Sequence, residues 1–268
     1  MKADLLNYAK LVTKNSVIDQ IIEDGEFLRI ISKEKSGSEE IKYLDIPISV
    51  NIALHNRSFT EGKSSWRDSV QGLRCSGWEE RKQKIIEYFE SELRENEFPT
   101  PGSHGPLTIV YVGGFPFCKV GNHRLSASKV WLAGKHGEKA KLKKVKCVRH
   151  VIKHKILGVL KSSLEPGAKL KYSFWGKAEQ NLKDQKLFRS GYRNLLYLKQ
   201  ENEKPKLYIF SDESDCIELK DCLRYFPSFV KFNRYSRFLS FEYEELSRGF
   251  IEKIIDDTKI NAIFTNNE

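Results

Sequence analysis

A chain of 268 residues, 40% hydrophobic and 31% charged, is long enough to bury a full core as one large domain or two small ones. No apolar run approaches the roughly 20 residues that cross a bilayer, and Met1-Lys2-Ala3-Asp4-Leu5-Leu6 carries an early acid and no apolar signal-peptide core. These features exclude a membrane span and predict a cytoplasmic protein with no membrane partner. Cysteines stand at 75, 118, 147, 216 and 222 with no Cys-x-x-Cys pair, so reduced thiols and no metal site are expected. A zinc site from Cys118, His123 and Cys147 is the weaker alternative. The net charge of +10 predicts a polyanionic partner, with a solvated Lys-rich face as the bland alternative. That charge is concentrated: residues 119–161 hold 13 Lys/Arg against one acid, Glu138.

Along the chain, residues 4–24 have the apolar spacing of two short helices, broken near Lys14-Asn15, with Ser16 capping the second. Phe27–Ile31 and Ile41–Ile46 flank Lys35-Ser36-Gly37-Ser38 as strand, turn and strand, and Ile46-Pro47-Ile48 continues as an edge segment. Arg57–Gly77 reads as a long polar loop. Trp78–Asn96 reads as a helix whose stripe is Ile85, Ile86, Tyr88, Phe89 and Leu93, ended by Pro99-Thr100-Pro101-Gly102. Leu107–Val112, Gly113-Gly114 and Phe115–Val120 form a hairpin. A helix from Gly121 to about Ala133, stopped by Gly134, precedes a strand at Val145–Ile152.

Glu165-Pro166-Gly167 is the expected domain boundary. Beyond it the pattern predicts a helix near 176–188, a strand at Leu207–Phe210, and helices at Asp215–Tyr225 and Glu244–Asp256. Mixed elements without βαβ alternation predict an α+β fold. Three regions result: residues 1–40 with N-terminal helices and a first strand, a central domain over 41–164, and a smaller C-terminal α+β region over 165–268.

The run Lys119-Val120-Gly121-Asn122-His123-Arg124-Leu125-Ser126-Ala127 carries the chemistry. A strand, a Gly turn and a helix start leave free backbone N–H groups at a helix N-terminus, which favours an anion such as phosphate. His123 and Arg124 add side-chain donors. Asn122 is a candidate cap for the helix that follows, a role compatible with a phosphate contact.

This motif, with the order strand, long loop, helix, strand pair, turn, helix and strand over 41–152, resembles the ParB/sulfiredoxin-like superfamily. The comparable turn is Gly-Cys-His-Arg in sulfiredoxins and Gly-Glu-Arg-Arg followed by alanine in ParB proteins. The resemblance implies a mixed sheet with helices. It implies that Gly121, Asn122, His123 and Arg124 hold nucleotide phosphates and that Ala127 packs on the sheet. His55-Asn56-Arg57 is similar to the end of the first family motif, which adds Arg57 to the set. Asn122 stands where sulfiredoxins carry a reactive Cys, so thiol-phosphate repair is not expected. His123 replaces a ParB arginine, so a CTP-driven clamp is not implied.

Lys141, Lys143, Lys144, Lys146 and Arg149, continued by Lys153 and Lys155, form a basic strand expected to track a nucleic-acid backbone. Between Arg224 and Tyr243 aromatics alternate with cations, which suits either a small core or a single-stranded nucleic-acid platform. Trp131 reads as core. The expected function is binding of a nucleoside phosphate and nucleic acid. The alternative is a phosphotransferase, NTPase or nuclease using the same cradle with a nucleoside triphosphate and Mg2+, for which Asp45 and Glu61 are the candidate acids.

Overall fold

The computed structural model describes residues 1–14, 16–34, 40–60, 64–174, 194–210, 215–222 and 243–265. The chain divides into two compact units, one made of Met1–Arg29, Glu34–His150 and Ile260–Glu268, the other of Ile30–Lys33 and Val151–Lys259. The main division thus falls between His150 and Val151, ahead of Glu165-Pro166-Gly167.

The first unit opens with helix α1 (Lys2–Leu11), followed by one 3-10 turn at Val17–Asp19 in place of the expected second helix. Ser16 caps that turn as expected, through a reciprocal capping box with Asp19. Phe27–Ile31 is not a strand. It is the body of α2 (Gly25–Ile31), and the strand β1 (Ser32–Glu34) comes after it. The five-residue run is too short for periodicity to separate helix from strand. Local polar contacts favour the helix: Asp24 accepts from the Glu26 N–H at 2.8 Å, and Arg29 pairs with Glu26 one turn away. The Lys35–Ser38 turn lies outside the described residues.

Strand β2 (Glu40–Pro47) and the short β3 (Ala53–Leu54) follow. The expected loop at 57–77 contains two short helices, α3 (Arg57–Thr60) and α4 (Trp66–Ser69). Ser65 and Asp68 make a capping box for α4, and Phe59 and Trp66 are fully buried, which anchors this polar stretch to the core. Helix α5 (Lys82–Glu90) is shorter than its sequence pattern. Beyond Ser91 the chain turns extended, because the N–H groups of Leu93 and Arg94 bond the Lys143 and Lys144 carbonyls at 2.9 and 2.8 Å.

The hairpin of β4 (Thr108–Val112) and β5 (Phe115–Val120) forms as expected, followed by α6 (Asn122–His136) and β6 (Lys141–Ile152). Gly134 does not stop α6. It sits inside the helix against Tyr8, where a Cβ would lie 2.5 Å from Tyr8 Cδ1. The stop is Gly137, at φ +76°. Trp131 is core, edge-on to Tyr8 at 4.8 Å between ring centroids.

Within this unit the strands lie in the order β2-β6-β4-β5-β3. The pairs β2/β6 and β4/β5 are antiparallel, whereas β6/β4 and β5/β3 are parallel, so the sheet is mixed and the fold α+β. Register places Tyr43, Lys146, Thr108 and Val120 in one row across the strands. The start of the basic strand therefore lies at the same end of the sheet as the Gly121 turn.

The second unit contains helix α7 (His154–Ser162) and an antiparallel sheet of β7 (Lys169–Phe174), β8 (Asn194–Lys199), β9 (Lys206–Phe210), β10 (Ile217–Glu218) and β11 (Glu244–Glu245). Its order is β10-β9-β8-β7-β11. The Leu207–Phe210 strand is present within β9. Where a helix is expected over Asp215–Tyr225, β10 pairs with β9, and among the described residues of that stretch α8 (Leu219–Cys222) is the helical part. The final expected helix starts late, as α9 (Arg248–Ile255), because Glu244-Glu245 pairs with β7 and Ser247 caps the helix by accepting from the Phe250 N–H. The helix expected near 176–188 and the aromatic segment 224–242 lie outside the described residues. A last helix, α10, covers Thr258–Thr265. No helix among the described residues is long and apolar enough to cross a membrane.

Candidate phosphate-binding site

The apolar strand β5 delivers the chain to Gly121, which adopts φ +99° and acts as the N-cap of α6. A left-handed residue here costs glycine little and any other residue more. The first N–H groups of the helix point back over the turn with no intrahelical acceptors. They form the positive end of a 15-residue helix.

Asn122 occupies the first position of that helix and is 8% exposed. Its amide lies 3.3 Å from His55 Nδ1, and its other polar atom is buried with no partner. His55 Nδ1 is also 2.7 Å from the Cys118 carbonyl oxygen. A carbonyl only accepts, so Nδ1 carries the ring proton. A protonated Nδ1 cannot accept from an amide N–H. The amide oxygen of Asn122 therefore belongs against His55, and its NH2 occupies the unpartnered position. The turn thus carries a buried, unused amide donor beside the free backbone N–H groups.

His123 is half-buried, with its ring edge-on to Phe59 at 4.7 Å. Its Nδ1 accepts from the Arg74 backbone N–H at 3.3 Å. Burial, reinforced by the Arg74 charge, holds this imidazole below its ordinary range. The result is a neutral ring with its proton on Nε2, a hydrogen-bond donor at neutral pH.

Arg124 does not project from the turn. It is 6% exposed, and its guanidinium donates to the Gly105 carbonyl at 2.8 Å and the His104 carbonyl at 3.3 Å. It also lies 5.8 Å from the Phe98 ring centroid. Arg124 therefore fastens the 98–105 segment to the turn. Its charge stays near the helix N-terminus, but two of its donors are already used.

The remaining sequence candidates fall at different places. Arg57 opens α3, and its side chain lies outside what the structure describes, as does all of Glu61. Asp45 is on β2, three strands across from β5, a separation on the order of 14 Å. Its carboxylate accepts from the Lys144 N–H at 3.0 Å, where β2 and β6 slip register. Asp45 thus supports an irregular strand pair and is not brought to the turn. Lys146 pairs with Glu95 at 3.0 Å, and Arg149 with Glu40 at 3.4 Å and with Asn261. Lys143 Nζ bonds the Glu90 carbonyl, while Lys141 and Lys143 stay exposed and Lys144 partly so. The basic strand is partly neutralised by acids distant in sequence.

Three residues were given no site role from the sequence, although His55 and Ser126 lie in the quoted motifs. His55 is one. Lys129, on α6, is another: it is 0% exposed, donates to the Val50 carbonyl at 3.0 Å and lies 4.0 Å from the Trp66 ring centroid. Burial pulls its amine down to about 7. Ser126, one turn from Asn122, is fully buried with an unpartnered Oγ. For Lys129 the only signal was its place among apolar residues in Ala127–Ala133. The Cys118 thiol is pushed up to about 12 by burial and stays protonated, so it supplies no thiolate. Among the described residues no group of three or more His, Cys, Asp or Glu side chains could hold a metal, the Cys118, His123 and Cys147 set included. Comparison with protein-family models, curated proteins and solved structures finds no match to this chain.

Proposed function

We propose that this protein binds a nucleotide by its phosphates at the turn from Gly121 to Arg124, in the manner of the ParB/sulfiredoxin-like proteins that the motif resembles. The observation that carries this reading is the buried Asn122 amide with one polar atom unpartnered, the atom that the His55 tautomer assigns as the NH2, set at the N-terminus of α6 beside a left-handed glycine. Backbone N–H groups, the Asn122 NH2 and His123 Nε2–H are all donors, so an acceptor-rich anion is the complementary ligand. Arg124 contributes by fixing the turn against Gly105. The described residues do not fit a resident metal site, and a divalent ion would enter on the nucleotide's own phosphates.

A nucleic-acid surface is the second part of the reading. It is supported by Lys141, Lys143 and Lys144 at the same end of the sheet as the turn. Lys146 and Arg149, already paired with acids, contribute less.

The test is calorimetric titration with ATP, GTP, CTP and UTP against wild type and Asn122→Asp. Aspartate keeps the shape of the side chain and replaces the donor with a negative charge. A charge-assisted contact is worth roughly 1.5–3 kcal/mol, so affinity should fall by about ten- to hundredfold. Equal affinity of the two proteins at equal thermal stability would reject the turn as the phosphate site.

A further inference from the structure

We propose that Arg74 supplies the guanidinium that grips the phosphate chain of a nucleotide at the Gly121 turn, a role that Arg124, held by carbonyls, does not fill; this rests on the turn being a phosphate site. Arg124 is 6% exposed and spends donors on the Gly105 and His104 carbonyls, so it presents no open fork to a ligand. Arg74 comes from a different part of the chain, the stretch that follows α4. Its backbone N–H donates to His123 Nδ1 at 3.3 Å, which seats the residue directly against the imidazole of the turn. The Arg74 side chain is exposed, and among the described residues its guanidinium makes no hydrogen bond or ion pair. Its N–H donors are therefore open to an acceptor from solution.

The neighbours of Arg74 fix its position. Leu73, the residue before it, is 3% exposed in the core. Lys2 Nζ donates to the Leu73 carbonyl at 3.2 Å and to the Gln71 carbonyl at 2.7 Å. The Cys75 carbonyl, on the other side, accepts from the N–H of the buried Trp78 at 3.1 Å. The backbone is thus pinned before and after Arg74 while the side chain stays in solvent. The guanidinium lies near enough for its charge to act on the His123 ring: after burial, it is the second influence that holds this imidazole low. That charge also keeps His123 an Nε2–H donor without making it a second cation. The open fork, the His123 N–H and the first backbone N–H groups of α6 all belong to one corner of the unit and are all donors. A phosphate group, with several acceptor oxygens and a negative charge, is the ligand that a planar guanidinium fork grips in a bidentate way. The sequence hides this arginine because it stands in a polar stretch with no motif around it.

The experiment is calorimetric titration of the full chain with ATP, GTP, CTP, UTP and inorganic pyrophosphate, for wild type, Arg74→Gln and Arg74→Lys. Both variants keep the backbone N–H that meets His123. Arg74→Gln should lower affinity by about ten- to hundredfold at an unchanged melting temperature. Pyrophosphate should show the same loss, since Arg74 reads phosphate and not the base. Arg74→Lys should recover part of the loss, because it restores the charge without the fork. In the free protein, NMR titration should show the His123 ring protonating at higher pH in Arg74→Gln than in wild type. Equal affinity of wild type and Arg74→Gln, or an unchanged His123 titration, overturns the role of Arg74 and leaves the phosphate site standing. Failure of every probe to bind wild type overturns the phosphate site and the role of Arg74 with it. Should Arg74→Gln melt below wild type, Arg74→Lys decides: weaker binding than wild type supports the guanidinium, and equal binding overturns it.

Discussion

Gly121 and Arg124 are packed so closely that a Cβ on Gly121 would lie 2.8 Å from Arg124 Nε. The same Cβ would meet Leu107 Cδ1 at 2.9 Å. Two separate demands therefore fix a glycine at the turn: its φ of +99° and the guanidinium folded over it. The buried arginine depends on the absence of a side chain three residues earlier, and the turn depends on the arginine's hold on Gly105.

Gly121→Ala should accordingly cost more than a left-handed alanine alone. Gly102→Ala is the control, because φ there is +73° and a Cβ would meet nothing within 4 Å. The control should lose roughly 1–2 kcal/mol, the usual cost of a left-handed alanine. Gly121→Ala should lose about 1–3 kcal/mol more, since overpacking adds to the same strain. Urea titrations of both variants make the comparison; equal midpoints would contradict the packing argument.

Lys129 predicts a pH dependence with a definite sign. Its amine is held down to about 7 in the folded chain, against 10.5 for the ordinary group. Between these values the unfolded chain binds more protons, so stability rises with pH. The usable window ends near pH 8.5, because Cys118 and Cys147, pushed up to about 12 from 9.0, contribute the opposite slope once unfolded thiols ionise. From pH 7 to 8.5 the gain should be about 1–2 kcal/mol. Lys129→Met should flatten this rise. A slope that persists in the variant would assign it to another group.

The basic strand sets a salt dependence. Lys141, Lys143 and Lys144 carry exposed or partly exposed ammonium groups, whereas Lys146 is bound to Glu95. With a log–log salt slope of about −0.9 per phosphate contact, three such contacts give a slope near −2.7 for duplex DNA. Changing all three lysines to Gln should abolish most of that slope, and Lys146→Gln alone should change it little. Fluorescence anisotropy across a salt series measures both. Absence of binding by wild type at low salt would remove the nucleic-acid part of the reading.

Much of the first unit was legible because the signals were local. Gly113-Gly114 between two apolar runs gives the β4–β5 hairpin, and Gly121 after Val120 gives the strand-to-helix turn. Ser65 and Asp68 have the spacing of a helix start, but the polar composition around them led to a loop reading of 57–77, and the helix was missed. Phe27–Ile31 was misread because an apolar pentapeptide satisfies both periodicities, and the deciding contact was the Asp24 cap. The length of α5 was misread because the Leu93 and Arg94 N–H groups leave the helix for acceptors on β6, fifty residues away.

By itself, the sequence determined the mixed α and β content, the position of the glycine turn and the concentration of positive charge after it. Each depends on neighbouring residues, on backbone sterics or on simple composition. Only the tertiary structure decided what the side chains at the turn do. Arg124 faces carbonyls of a distant segment, His55 receives its tautomer from the Cys118 carbonyl, and Lys146 is neutralised by Glu95. Burial then kept His123 neutral and weakened the charge on Lys129. These outcomes rest on partners brought together from across the chain and on water removed around them. No short stretch of residues encodes either one.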